Sequence, residues 1–313
     1  MPTLIVESPG LLTTVQDLGR PGFGRLGVSP SGAADPVALR LGNLLVGNAP
    51  GAAALEMTLL GGTFTFPDGA LISLTGADFG AMMDGHYVEM WATHRVPAGA
   101  TMVLGPARNL ARGFLAIAGG LQVPLFLGSA STHLLSGLGG FHGRALREGD
   151  VLQIAGTPKR SRERRISEAA LRAMQPRKVV RVTEGPQLHL FSEADKQDFF
   201  RRTFRVSESS DRTGIRLEGL RLAAWLPGEM VTEGVPLGAI QVTPSGQPII
   251  LGVEQQTTGG YPKIANVIGV DLHRLGQLRP RTEVRFKRTS LAVARSLWIE
   301  HTRLLSNPRE LFA

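Results

Sequence analysis

The sequence predicts a mainly β protein of two strand-rich lobes with a few short helices, and three observations lead there. Short apolar or β-branched runs recur along the chain, most of them bounded by Gly or Pro, a spacing that marks antiparallel sandwiches and barrels rather than alternating strands and helices. Glycine and proline number 39 and 20 among 313 residues, which signals many tight turns. The strand pattern also stops after Gly156, gives way to charge, and resumes at Val179. A chain of this length holds one large domain or two closely joined ones.

The expected strands of the first half are the runs at 63–66, 71–74, 88–91, 101–104, 114–118 and 151–154. Those of the second half lie at 179–184, 203–206, 239–242, 248–251, 265–270 and 283–286. Asp35 before Pro36 reads as a helix N-cap with proline at the first helical position, and Val37, Leu41, Leu44 and Leu45 then recur at helical spacing up to Gly47. Ser167, Ser192 and Ser290 each open a further helix. In the last of these, Leu291, Ala294, Leu297 and Leu304 form an apolar stripe expected to be core. The resulting division is an N-terminal lobe 1–156, a basic connector 157–178 and a C-terminal lobe 179–313.

Composition excludes several function classes. There is no cysteine, so a disulfide framework, a thiolate metal site and a cysteine nucleophile are ruled out together. No apolar run reaches the roughly 18 residues that a membrane helix needs, and MPTLIVESPG has no basic region ahead of an apolar one. The expected location is the cytoplasm, with no membrane association. The net charge of +8 is spread out, dense only in KRSRERR at 159–165, so nucleic acid is not an expected partner and an acidic small molecule or protein is.

None of Lys159, Lys178, Lys196, Lys263 or Lys287 follows a glycine, so no P-loop for ATP exists. GLGGFHG at 137–143 lacks the glycine offset of a dinucleotide fingerprint and reads as a tight turn. The seven histidines show no ligand spacing, and no metal is expected. Met82-Met83 flank no lysine, so no covalent biotin is expected on this chain.

Five segments combine glycines with polar residues beyond what a core requires: VQDLGRPGF (15–23), GVSPSGAAD (27–35), LTGAD (74–78), SDRTGIRLEG (210–219), and 238–263 with GAIQV, GQPIIL and TTGGYPK. Asp17 and Arg20 suit either a turn with a surface ion pair or a ligand contact. Asp78 suits a turn cap or a ligand contact. Asp211 and Arg212, with Arg216 close behind, suit a fork that recognises a carboxylate. Thr257, Thr258, two glycine amides, Tyr261 and Lys263 suit either a hinged hairpin or a site for an anion or a developing oxyanion. Tyrosine is otherwise found only at position 87.

These segments, in this order, resemble the family that contains KipA, the C subunit of 5-oxoprolinase, allophanate hydrolase subunit 2 and the carboxyltransferase part of urea carboxylase. The resemblance runs from about Val6 to Ser290. It implies two cyclophilin-like β-barrel lobes forming a cleft, with two partner proteins: one like KipI, the B-type component, and one of the A type. It also implies ATP used by the whole complex to open 5-oxoproline to glutamate. Carried over by position, Asp211, Arg212, Lys263 and Tyr261 are the catalytic candidates, and Gln241, Asp17, Arg20, Thr258 and Asp78 the substrate-binding ones. The alternatives are carboxyl transfer from a partner's carboxybiotin to urea or a related amide, and a KipA-type regulatory module that binds a KipI-like protein. Free-standing members of this length tilt the choice toward 5-oxoprolinase. Two departures stand out: Ala130 and Glu254-Gln255 occupy places where the family commonly carries an arginine.

Overall fold

The computed structural model describes residues 1–156, 163–175, 178–224 and 230–313. It divides into two units. One comprises Met1–Arg20, Ser31–Met174 and Pro308–Ala313, the other Pro21–Pro30 and Gln175–Asn307. Of the expected connector, 157–162 and 176–177 lie outside the described residues, and the helix Glu168–Met174 belongs with the first unit.

In the first unit a seven-stranded sheet runs in the order Leu121–Gln122, Val151–Ile154, Thr3–Ser8, Thr63–Phe66, Ala100–Val103, Met82–Met83, His86–Tyr87. A five-stranded sheet runs Thr13–Gln16, Ala54–Thr58, Arg112–Ile117, Ala70–Gly76, Thr93–Val96. Leu4, Val6, Phe64 and Met102 of the first sheet share one core with Leu55, Met57, Ile72, Leu74 and Leu115 of the second. Inward-facing apolar residues at alternate positions account for that core.

The helix Pro36–Leu45 forms where its cap predicts. Asp35 Oδ1 accepts from Val37 N at 3.1 Å and Ala38 N at 2.9 Å. Gly42 lets it lie close to the five-stranded sheet, where Ser73 Oγ donates to Gly42 O at 2.7 Å and Thr75 Oγ1 to Ala38 O at 2.8 Å.

The second unit contains a closed barrel of Val179–Glu184, Lys263–Val267, Ala239–Val242, Pro248–Leu251, Gly214–Glu218, Phe204–Val206 and Glu283–Arg288, in that order around the wall. Closure is made by the parallel pairing of Val179–Glu184 with Glu283–Arg288. Its interior is filled by Val180, Val182, Phe204, Val206, Leu217, Ile240, Ile250, Ile264 and Phe286. Phe199, from the helix Glu193–Arg201, stacks on Phe286 with ring centroids 4.6 Å apart. The chain is therefore mainly β with few helices, as its periodicity predicts.

Three local expectations fail for identifiable reasons. Residues 88–91 are not a strand: Trp91 adopts φ 63°, which breaks an extended path, and the flanking strands are His86–Tyr87 and Thr93–Val96. The strand expected at 265–270 instead starts at Lys263, ends at Val267 and turns into Gly269–Asp271. The stripe on Leu291–Ser306 is not core, since Leu291 is 76% exposed and His301 is the buried residue of that helix. The helix packs on the Gly269–Asp271 turn, where the missing side chain of Gly269 leaves room for the Trp298 ring.

Candidate functional site

In the second unit, polar residues lie at both ends of the barrel strands: Lys263 and Gln241 towards the Val242–Pro248 pairing, Arg212 and Glu254 beyond the Gly214–Leu251 pairing. The strands Ala239–Val242 and Lys263–Val267 pair with a register shift, so that Ile240 opposes Ala265 but Gln241 opposes Lys263. This bulge places the extra residue, Ile264, in the core and leaves Lys263 buried beside it, only 3% exposed. A lysine so enclosed needs an anion. It donates through Nζ to Glu233 Oε1, a residue of the separate two-stranded ribbon Glu233–Gly234 and Thr258–Gly259.

Gln187 ties the same group together. Its Nε2 donates to Glu233 Oε1 at 2.7 Å, and its Oε1 accepts from Lys263 N at 3.2 Å. Hydrogen bonding from Lys263 holds the Glu233 carboxyl below the usual glutamate range, outweighing the opposing effect of partial burial. Gln241 is also buried and donates through Nε2 to the Tyr261 carbonyl at 3.3 Å. Gly259 passes close to that amide, so a side chain there would collide with Gln241. Tyr261 is 41% exposed. Tyr261 and Pro262 also border a pocket of about 280 Å³ lined by Arg221, Thr243 and Ser245 among others.

Arg212 lies in the same unit, enclosed with Glu254: Nε donates to Glu254 Oε1, and the two side chains are 5% and 3% exposed. The backbone fixes the contact, because Glu254 N donates to Arg212 O at 3.0 Å and Gly252 N to Thr213 O at 2.9 Å. Asp211 is exposed. Its Oδ1 accepts from Thr213 N at 2.8 Å, Thr213 Oγ1 at 2.5 Å and Gly214 N at 3.2 Å, making the turn that presents Arg212. Gln255 donates to Val235 O at 3.2 Å, and Val235 N to Thr257 O at 3.1 Å, linking this loop to the ribbon strand that carries Thr258.

The remaining candidates belong to the first unit. Asp17 accepts from Gly19 N at 2.7 Å, Ser129 Oγ at 2.7 Å, Ser131 Oγ at 2.5 Å and Ala130 N at 2.6 Å. Arg20 is buried, donates to Ser131 O and lies over the Phe126 ring at 5.3 Å. Both residues hold the 126–132 loop onto the 15–20 segment. Asp78 accepts from Gly80 N at 2.7 Å and pairs with the exposed Arg108 at 3.5 Å. Among the described residues, no group of three or more His, Asp or Glu is arranged to hold a metal ion, and no helix is long and apolar enough to cross a membrane.

Glu233 and Gln187 were not marked by the sequence. Each lies outside any glycine-rich motif, and each gains meaning only through the ribbon and barrel pairings that bring it to Lys263.

A closed β-barrel that buries Lys263 and Arg212, together with a two-sheet β unit, is the architecture of a carboxyltransferase domain. The chain belongs to the carboxyltransferase domain family, subdomains A and B, whose family model matches residues 26–288. It is 40% identical over 287 residues to the 5-oxoprolinase C subunit of Escherichia coli, covering 91% of each chain. The 5-oxoprolinase C subunit of Haemophilus influenzae is 39% identical over 284 residues, covering 91% of this chain and 90% of that one. The crystal structure of the Kluyveromyces lactis urea amidolyase superposes with a TM-score of 0.90 at 30% identity, over 97% of this chain and 20% of that one. The chain thus spans about a fifth of that larger protein.

Proposed function

We propose that the chain is the C subunit of an ATP-dependent 5-oxoprolinase that converts 5-oxoproline to glutamate in the cytoplasm. In this reading it acts together with an A-type component and a KipI-like, B-type component. The observation that carries the reading is the end-to-end match at 40% identity to a protein named as the C subunit of 5-oxoprolinase, covering 91% of both chains.

A lactam resists opening because amide resonance stabilises its carbonyl, and ATP supplies activation by phosphorylating the carbonyl oxygen. What this chain offers is charge and position. Lys263 is a buried ammonium at the barrel end, suited to the carboxylate of 5-oxoproline. Arg212 is a second buried cation, with Asp211 as the positioning residue that shapes its turn. Tyr261 offers an exposed phenol as a donor to oxygen, on a backbone fixed by Gln241, and Thr258 adds a hydroxyl on the adjoining ribbon. No covalent biotin and no P-loop are assigned to the chain.

The test is 5-oxoproline-dependent ADP release by the complex co-expressed from neighbouring genes. Omitting this chain abolishes it, and undiminished turnover without the chain refutes the reading. The superposition on urea amidolyase favours a second reading, carboxyl transfer from a partner's carboxybiotin to urea or a related amide. Bicarbonate-dependent turnover with a biotinylated partner, in the absence of oxoprolinase activity, would select it.

A further inference from the structure

Two donors converge on one oxygen at the barrel end. Lys263 Nζ and Gln187 Nε2 both donate to Glu233 Oε1, the latter at 2.7 Å. The three groups differ sharply in enclosure. The Lys263 side chain is 3% exposed and fixed by the barrel wall, whereas that of Glu233 is 44% exposed and belongs to the two-residue strand Glu233–Gly234, hydrogen-bonded to Thr258–Gly259 and not to the barrel. Gly234, next in the chain, has open space where a side chain would be.

We infer that Glu233 is an exchangeable counter-ion, which occupies the anion site made by Lys263 and Gln187 until a ligand carboxylate takes its place. The inference rests on the reading that the substrate is a small carboxylate, 5-oxoproline.

Leaving a buried ammonium with no anion is costly, so the enclosed Lys263 favours having one close by. An ion pair with a half-exposed carboxylate is weak, because water competes for the exposed partner. Replacing one carboxylate by another on the same two donors therefore conserves charge and hydrogen bonds at little net cost. Two N–H donors directed at one point suit a carboxylate oxygen in particular. Glu233 thereby sets the affinity for acidic ligands by competing with them as a carboxylate.

The experiment compares the full-length wild-type chain with Glu233→Gln, using fluorine NMR titration with trifluoroacetate and calorimetric titration with 5-oxoproline. Both ligands are expected to bind about fivefold more tightly to Glu233→Gln, the scale of a half-exposed ion pair, and the gain is expected to vanish in a Lys263→Met background. Unchanged or weaker trifluoroacetate binding by folded Glu233→Gln overturns the inference. Tighter trifluoroacetate binding with no 5-oxoproline binding by either chain supports the exchange and removes 5-oxoproline as the ligand of this site. Should the variant fail to fold, carbon-13 NMR of the wild-type Glu233 carboxyl decides. Saturating trifluoroacetate is expected to move its titration up to the ordinary glutamate range, and an unmoved titration with ligand bound overturns the proposal.

Discussion

Asp17 and Ser129 lie 112 residues apart in sequence and 2.7 Å apart in the fold, with Ser129 Oγ donating to Asp17 Oδ1. Three more donors, Gly19 N, Ala130 N and Ser131 Oγ, complete the shell of this buried carboxylate. Hydrogen bonds to a charged acceptor contribute more than neutral ones, and stripping the acceptor leaves its donors unmet. Asp17→Ala is therefore expected to destabilise the protein by about 3 kcal/mol or more. Urea denaturation measures this. The KM of the protein that remains folded is expected to be unchanged, and a raised KM at normal stability would assign Asp17 to the ligand instead.

Arg212 and Glu254 invite a different comparison, because both partners are enclosed. Removing either takes this buried contact from the charge that stays, so Arg212→Met and Glu254→Leu are each expected to cost about 3 kcal/mol. The double variant removes both charges and is expected to recover most of that loss. A double variant as unstable as the sum of the singles would show that the pair contributes nothing as a pair. Turnover stays low in the double variant if Arg212 meets substrate, which separates its chemical role from its structural one.

Glycines of the first unit provide a graded test of backbone constraint. Gly140 has φ 56°, and an added side chain would run into Thr132. Gly128 has φ 77°, yet nothing lies within 4 Å of where its side chain would be. Gly128→Ala is expected to cost about 1 kcal/mol for the backbone alone, and Gly140→Ala at least twice that. Thermal denaturation of the two variants ranks them, and equal losses would show that the Thr132 contact relaxes freely.

What the sequence made legible follows from how local each signal is. Strands 63–66, 151–154, 179–184, 239–242 and 248–251 match the observed ones, because β-branched runs between glycines and prolines carry their own boundaries. The Asp35-Pro36 cap was equally local. Lys263, Tyr261 and Thr258 stood in one motif, and they remain together in the fold. Partners were not legible: Glu233 meets Lys263 across 30 residues and Glu254 meets Arg212 across 42. The helix Leu291–Ser306 misled for the opposite reason, since periodicity reveals an apolar face but not whether anything covers it.

The buried Asp271 makes the stability of the fold depend on pH. Burial alone would raise its pKa, but Arg181 donates to it from Nε at 2.9 Å, Nη2 at 2.7 Å and backbone N at 2.9 Å, and Arg274 adds Nη1 at 2.8 Å, so the carboxyl is held below its ordinary value. A folded-state pKa below the unfolded one adds stability that is fully present above the unfolded value, about 3.9 for Asp, and is lost as pH falls through the folded one. Asp271→Asn removes the charge while keeping the shape. At pH 7 it is expected to cost about 3 kcal/mol, because Arg181 and Arg274 both lose the Asp271 carboxylate. The gap between variant and wild type should then stay level down to about pH 4 and narrow below it, as the wild-type carboxyl takes up a proton. Denaturant titrations at a series of pH values down to about 3, below the ordinary Asp value, measure the gap, and a gap that widens on acidification would contradict the lowered pKa.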